Sequence, residues 1–231
     1  MIIAKDYWNR VYLTGREVYQ NRTLLNVDEQ AGPAYFEGLW LSRWLFWRRL
    51  RLAVQDVPKT PMGVAIDFGC GFGLVLPAMR ENFARTLGID LVPELGQKLV
   101  ERWDEDHTDA RNQMERGSLK IGDPSELSKI SDASVDVILA LDVLEHFKSL
   151  DEVLSEFHRL LSPKGTLIVS GPTENGMYQL GRKIVGFSGD YHHQDIYSVR
   201  AHLEKRFHVC LRRRIPWYAP LFHVLHATKR P

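Results

Sequence analysis

Short apolar runs, bounded by glycine, proline or acidic residues, recur along the chain from residue 64 onward. Stretches of helical composition stand between them. Val64-Ala65-Ile66, Thr86–Ile89, Ser118–Ile121, Val135–Leu141 and Thr166–Ser170 read as five strands. Val135–Leu141 is almost continuously apolar, as expected of a central parallel strand covered on both faces. Leu74–Phe83, Pro93–Arg102 and Leu150–Leu161 read as helices; the second has proline in its first turn and the third is amphipathic. This alternation predicts an α/β fold with a doubly wound, mostly parallel sheet. Phe207–Arg213 and Leu221–Thr228 are two further strands. Only Ile215–Pro220 separates them, too short for a helical crossover, so they should pair antiparallel.

The amino-terminal part has a different pattern. Lys5–Leu13 predicts a short aromatic helix and Tyr35–Val54 a longer one. Phe36, Trp40, Trp44 and Trp47 recur at spacings of three or four and so share one side of it. Arg43, Arg48, Arg49 and Arg51 make the same helix basic. One reading packs the tryptophans into the core and leaves the arginines in water. The other makes residues 35–54 a surface for peripheral membrane contact or for an anionic, lipid-like substrate. Val57–Gly63, with Pro58 and Pro61, reads as a linker. The expected organisation is a helical extension or cap over 1–60 and an α/β domain over 61–231. Gly171–Ile196 forms a lid-like insertion, with glycines at 176, 181, 186 and 189. It follows a strand's carboxyl end, where open α/β sheets bind ligands. Tyr197–Lys205 should be a helix.

Composition narrows the partners. With 231 residues and a net charge of +1, no overall field points to nucleic acid or membrane. Two cysteines, Cys70 and Cys210, make neither a disulfide framework nor a metal spacing. The opening M-I-I-A-K-D-Y-W lacks the apolar core of a signal peptide, and no run reaches the roughly 20 apolar residues of a membrane span. A cytoplasmic location is the expectation. The acidic run at 104–109 matches no metal-loop spacing, and no metal is expected.

The chemistry concentrates between residues 64 and 90. Asp67 closes the first strand, and Gly69, Gly71 and Gly73 follow at every second position. Such glycines let the backbone turn sharply and let a ligand approach it. Asp90 ends the second strand, placed to accept hydrogen bonds from a ribose diol. A dinucleotide site would want its third glycine one residue later, where Leu74 stands, and Asp67 would repel a pyrophosphate. The same carboxylate favours an ammonium or a sulfonium. A phosphate-free adenosine with a cationic amino-acid tail fits these residues, which describes S-adenosylmethionine.

I-D-F-G-C-G-F-G at 66–73, G-I-D at 88–90, G-D-P at 122–124, S-V-D-V-I-L-A-L-D-V-L-E-H-F at 134–147 and F-H-R-L-L-S-P-K-G-T-L at 157–167 stand in that order. With them the chain resembles the class I S-adenosylmethionine-dependent methyltransferases, in particular the ubiquinone-biosynthesis (type 11) group. The resemblance implies a strand order 3-2-1-4-5-7-6 with the last strand antiparallel. It implies that Asp67 and the loop Gly69-Cys70-Gly71-Phe72-Gly73 hold the methionine part of the cofactor. Asp90 would take the ribose hydroxyls and Leu91 would lie on the adenine. Asp123, in the Gly122-Asp123-Pro124 turn, would accept from the adenine amino group, and Leu141 would meet the methionine end through its backbone. Phe72 departs from the Thr or Ser of many relatives, which removes one side-chain hydrogen bond. Asp67, Asp90 and Asp123 also read as turn or cap residues, Gly73 as a packing glycine, and Asp142 and Glu145 as first-turn acids.

Methyl transfer needs proximity and alignment, and for an oxygen or nitrogen nucleophile a base. His146, near the end of the fourth strand, is the first candidate; its other reading is a histidine buried under the sheet. His192 and His193, in G-D-Y-H-H-Q-D, are the second, or else a polar loop pair. Arg182 and Lys183 could meet an acidic group on the acceptor or lie in water. Cys70 reads as packing. The expected activity is methyl transfer to a small or lipid-linked molecule, most readily at oxygen. A catalytically silent cofactor-binding protein and an NAD-dependent oxidoreductase are the alternatives, and nucleic acid is not expected as a partner.

Overall fold

The computed structural model describes residues 1, 3–21, 32–55, 57–58, 60–106, 116–185 and 193–230. Seven strands form one sheet: β1 (Thr60–Phe68), β2 (Phe83–Ile89), β3 (Ser118–Gly122), β4 (Val135–Leu141), β5 (Leu161–Pro172), β6 (Phe207–Ile215) and β7 (Phe222–Lys229). Their order is β3-β2-β1-β4-β5-β7-β6. β1 to β5 run parallel, and β7 is antiparallel to both β5 and β6. The fold class and strand order agree with the sequence expectation.

Every residue of β4 except Asp136 and Leu141 is fully buried, and successive side chains alternate between two cores. Val137 and Leu139 face the amino-terminal helices, whereas Ile138 and Ala140 face the opposite layer. The first layer holds α1 (Tyr7–Gln20), α2 (Gly32–Phe36), α3 (Trp40–Gln55), α4 (Leu76–Arg80) and α5 (Pro93–Asp106). In α1, Tyr7, Val11, Thr14 and Val18 are buried at helical spacing, and in α5 Leu95, Leu99 and Trp103 are. The second layer holds α6 (Asp151–Leu160) and α8 (Ile196–Leu203). α6 opens on Asp151 and Glu152 and closes on His158 and Arg159, signs that suit its dipole. Asp195 caps α8 by accepting from the Ser198 N–H at 2.8 Å. Between β5 and α8 stands α7 (Gly176–Val185).

Several boundaries differ from the sequence reading. The single helix expected over 35–54 is two: α2 stops where the N–H groups of Glu37 and Gly38 both donate to the Pro33 carbonyl. Trp40, Trp44 and Trp47 do lie on one side of α3, but only Trp47 is covered. Trp40 is 72% exposed and Trp44 47%. The expectation of arginines in water fails for Arg49, which is buried. β1 begins at Thr60, inside the expected linker, and β5 begins at Leu161, the last residue of the expected helix and five residues before the expected strand. The helix expected over 74–83 shrinks to five residues because β2 starts at Phe83. Among the described residues no helix is long and apolar enough to cross a membrane.

Candidate functional site

The carboxyl ends of β1, β2, β4 and β5 converge on one edge of the sheet. Asp67, the last residue but one of β1, is level with Gly88 on one side and Leu139 on the other, so it is flanked on both sides by backbone. It is 4% exposed. Among the described residues its carboxylate meets no cation and no hydrogen-bond donor. Burial, with a smaller push from Asp90, raises its pKa to about 7.

Gly69, Gly71 and Gly73 all adopt positive φ, at 72°, 49° and 69°. Each position has a distinct reason for glycine. A methyl group on Gly69 would come within 2.4 Å of Val143, and one on Gly73 would press on Leu76 and on the Gly96 backbone of α5. A methyl group on Gly71 would meet nothing within 4 Å, so the turn is open there. The turn is held from three directions. The N–H groups of Gly69 and Cys70 donate to the Ile89 carbonyl, at 2.7 and 3.1 Å. The Gly71 N–H donates to Asp90 Oδ2 at 2.7 Å. The Tyr7 hydroxyl, from α1, donates to the Leu74 carbonyl at 2.7 Å.

The two non-glycine side chains of the turn point away from its open side. Cys70 is buried against Gly88 and Gly96, and burial pushes its thiol well up, out of the range of a nucleophile. Phe72 packs into the amino-terminal helices, with ring centroids 5.4 Å from Phe36 and 6.1 Å from Tyr19. Only their backbone is left to meet a ligand.

Asp90 has two tasks. Its Oδ2 holds Gly71, and its Oδ1 accepts from the Val92 N–H at 3.0 Å. A carboxylate offers about four acceptor sites, so two remain for hydroxyls. Leu91, beside it, is 84% exposed and presents an apolar surface without cover. Asp123 is exposed, and its Oδ1 accepts from the Ser125 N–H at 2.8 Å, capping the short 3-10 helix Pro124–Lys129. These bonds to Ser125 hold its carboxyl below the usual range. Pro124 is exposed in the same turn. Leu141 ends β4 half-buried against the amino-terminal layer.

The other half of the site follows β4. Asp142 adopts φ 57° and its N–H donates to the Ser170 carbonyl on β5. Arg49 reaches it from α3, with Nη2 2.6 Å from Asp142 Oδ2. The guanidinium also donates to the Tyr35 hydroxyl at 3.0 Å and lies over the rings of Phe46 and Phe222, at 4.5 and 4.6 Å. Burial opposes its charge most, and the attractions of Asp142, Tyr35, Glu145 and Tyr178 together outweigh that. Glu145, in the 3-10 turn Leu144–His146, is 3% exposed, and its Oε2 has no hydrogen-bond partner among the described residues. Burial, reinforced by Asp142, raises its pKa well above the usual carboxylate range. Sequence reasoning gave Glu145 and Asp142 only a helix-end role and left Arg49 in solvent. The L-D-V-L-E-H segment was a visible signal; the arginine, about a hundred residues away, was not.

His146 is exposed, next to buried Glu145, and is not under the sheet. His193 is exposed too; its backbone N–H donates to the Glu145 carbonyl at 2.7 Å, so the structure brings it to the end of β4. His192 lies outside the described residues, as do the side chains of Arg182 and Lys183. Among the described residues no cluster of three or more His, Cys, Asp or Glu could hold a metal.

Comparison with known proteins places this geometry. Residues 66–169 match the family model described as a methyltransferase domain. The chain is 32% identical over 107 residues to a ubiquinone biosynthesis O-methyltransferase of Methylococcus capsulatus, covering 46% of this chain and 42% of that protein. It is 29% identical over 141 residues to a probable S-adenosylmethionine-dependent methyltransferase of Mycolicibacterium smegmatis, covering 59% and 46%. The matched stretches span less than half the length of those relatives. The fold is shared with the magnesium protoporphyrin IX methyltransferase of Synechocystis, solved with bound S-adenosylhomocysteine: TM-score 0.58, 16% identity, 97% of this chain and 94% of that one. Residues 66–169 thus match a methyltransferase domain in sequence, and the chain shares its fold with a solved methyltransferase.

Proposed function

We propose that the protein transfers a methyl group from S-adenosylmethionine to a small or lipid-linked molecule, at oxygen. One observation carries the reading: a buried carboxylate, Asp67, meets no cation among the described residues and stands at the foot of a glycine turn that is open at Gly71. That arrangement stabilises a ligand with a positive charge and no phosphate.

The residues present fit the cofactor. Asp67 would face the ammonium and sulfonium end, and the turn 69–73 would meet the methionine part with backbone alone. Asp90 has acceptor sites left for the ribose hydroxyls, and bare Leu91 suits the adenine face. Asp123 stands on the rim and Leu141 borders the methionine end. When bound, the sulfonium supplies an electrophilic methyl carbon, so the protein's own task is to align an acceptor and accept its proton. His146 and His193, on either side of Glu145, are the candidates for the proton. Burial favours the neutral form of Glu145, and in that form it can donate a hydrogen bond to an acceptor oxygen. Oxygen is favoured as the methylated atom by the named activity of the Methylococcus relative.

Calorimetric titration with S-adenosylhomocysteine tests the first half, and labelled-methyl transfer into a fractionated small-molecule and lipid extract tests the second. A folded protein that ignores S-adenosylhomocysteine would sink the proposal. Binding without turnover on any fraction would leave a silent cofactor-binding protein, and binding of NADH instead would leave an oxidoreductase.

A further inference from the structure

The net charge of +1 hides a strong asymmetry. Residues 38–55, 175–189 and 205–231 contain no Asp or Glu, yet they carry thirteen of the 30 Lys and Arg. All 29 acids stand in the remainder, against seventeen cations there. The fold brings the described parts of these stretches together. α3 packs beside β6, the outermost strand of the sheet. On β7, the Phe222 ring lies 5.6 Å from Phe46 of α3 and 5.4 Å from Tyr178 of α7. Thr173 Oγ1 and Asn175 Nδ2, just before α7, donate to the Pro220 carbonyl in the β6–β7 turn.

The same elements expose large apolar side chains. Trp40, Trp44, Met177, Leu180, Trp217 and Tyr218 are each between 47% and 80% exposed. On α3 the two exposed indoles lie among cations, and the Arg48 guanidinium sits over the Trp44 ring at 5.3 Å. Arg212 and Arg214 on β6 are exposed. Guarding an edge strand against pairing explains arginines there, but not an exposed Trp217-Tyr218 beside them.

We propose that α3, α7 and the β6–β7 hairpin form a docking surface for an anionic lipid bilayer. Indole and phenol rings favour the headgroup level, where an apolar body and a polar tip are both satisfied. Exposed methionine and leucine gain by entering the acyl boundary. The lack of Asp and Glu within these three stretches adds attraction to anionic headgroups. A nucleic acid would use the cations and the rings but has no use for Met177 and Leu180. The surface stands independently of the methyl-transfer reading, and its test needs no cofactor.

The experiment is sedimentation with extruded vesicles of phosphatidylcholine alone and of phosphatidylcholine with phosphatidylglycerol in equal parts. The protein should pellet with the mixed vesicles, less as salt rises, and only weakly with the neutral ones. Tryptophan emission should shift to the blue with the mixed vesicles. Arg212→Gln with Arg214→Gln should weaken partitioning about fivefold per arginine. Trp40→Ser, Trp44→Ser and Trp217→Ser together should abolish the blue shift. Circular dichroism melts establish that each variant is folded. Absence from the mixed-vesicle pellet, equal pelleting with neutral vesicles, or variants that partition like the parent would overturn the proposal. So would retention by duplex DNA without vesicle binding.

Discussion

Arg49 and Asp142 meet at 2.6 Å, joining the third helix to the residue that follows the central strand. The guanidinium is 3% exposed and the carboxylate 16%, so water screens the pair little. Removing one partner takes away the opposite charge that offsets the other's burial. Arg49→Met should cost about 3–5 kcal/mol in urea unfolding. Arg49→Met combined with Asp142→Asn should recover much of that loss, because no buried charge remains and Asn tolerates positive φ. A double variant no better than the single one would mean that packing of Arg49 on Phe46 and Phe222 matters more than charge.

Gly69 and Gly71 should respond differently to alanine. Both have positive φ, which costs a β-carbon roughly 1–2 kcal/mol. Gly69→Ala also collides with Val143 and should lose more stability than Gly71→Ala. Gly71→Ala should remain folded and lose S-adenosylhomocysteine affinity by at least tenfold, because its methyl group would occupy the ligand's approach. Thermal melts and calorimetry separate the two outcomes.

Ligand affinity should depend on pH through Asp67. In the free protein its carboxyl titrates near pH about 7, and a cationic ligand needs the charged form. Affinity should therefore be full above that pH and fall by up to tenfold per unit below it. An Asp67→Asn variant should bind weakly and show no such slope.

The same group predicts a stability change of opposite sense. The folded pKa lies above the ordinary 3.8, so the fold favours the protonated acid; that contribution is complete below 3.8 and is lost as pH rises through about 7. Asp67→Asn should match the parent's melting near pH 4 and exceed it at pH 8, by up to a few kcal/mol of stability. A variant less stable than its parent at pH 8 would show that the carboxylate is compensated by some other group.

Much of this was legible in the chain because its central features are local. Val135–Leu141 is apolar throughout since both its faces are covered, and the three glycines mark the turn since side chains there must collide or block. Asp67 and Asp90 are recognisable because each stands at the carboxyl end of a strand. What was not legible depends on distant partners. An arginine in an arginine-rich helix does not announce that Asp142 waits inside the fold. The indole pattern on α3 was read correctly as one side of a helix, but no periodicity tells how far the body beneath extends. Phe72 looked like a lost hydrogen bond in the turn, whereas its ring is a contact of the amino-terminal helices with Tyr19 and Phe36. Asp90 was expected to serve a ligand, and it also clamps the turn that would receive it.

The hydrogen bond from Tyr7 to Leu74 bears on where this polypeptide can be cut. A fragment beginning at Thr60 would retain all seven strands, yet it would leave the Leu74 carbonyl and the Phe72 ring without their covers and bare the side of Trp103 on which Tyr7 rests. The stretch that matches the methyltransferase model is shorter still. It is a region of similarity, and its boundaries are not those of a separable folding unit.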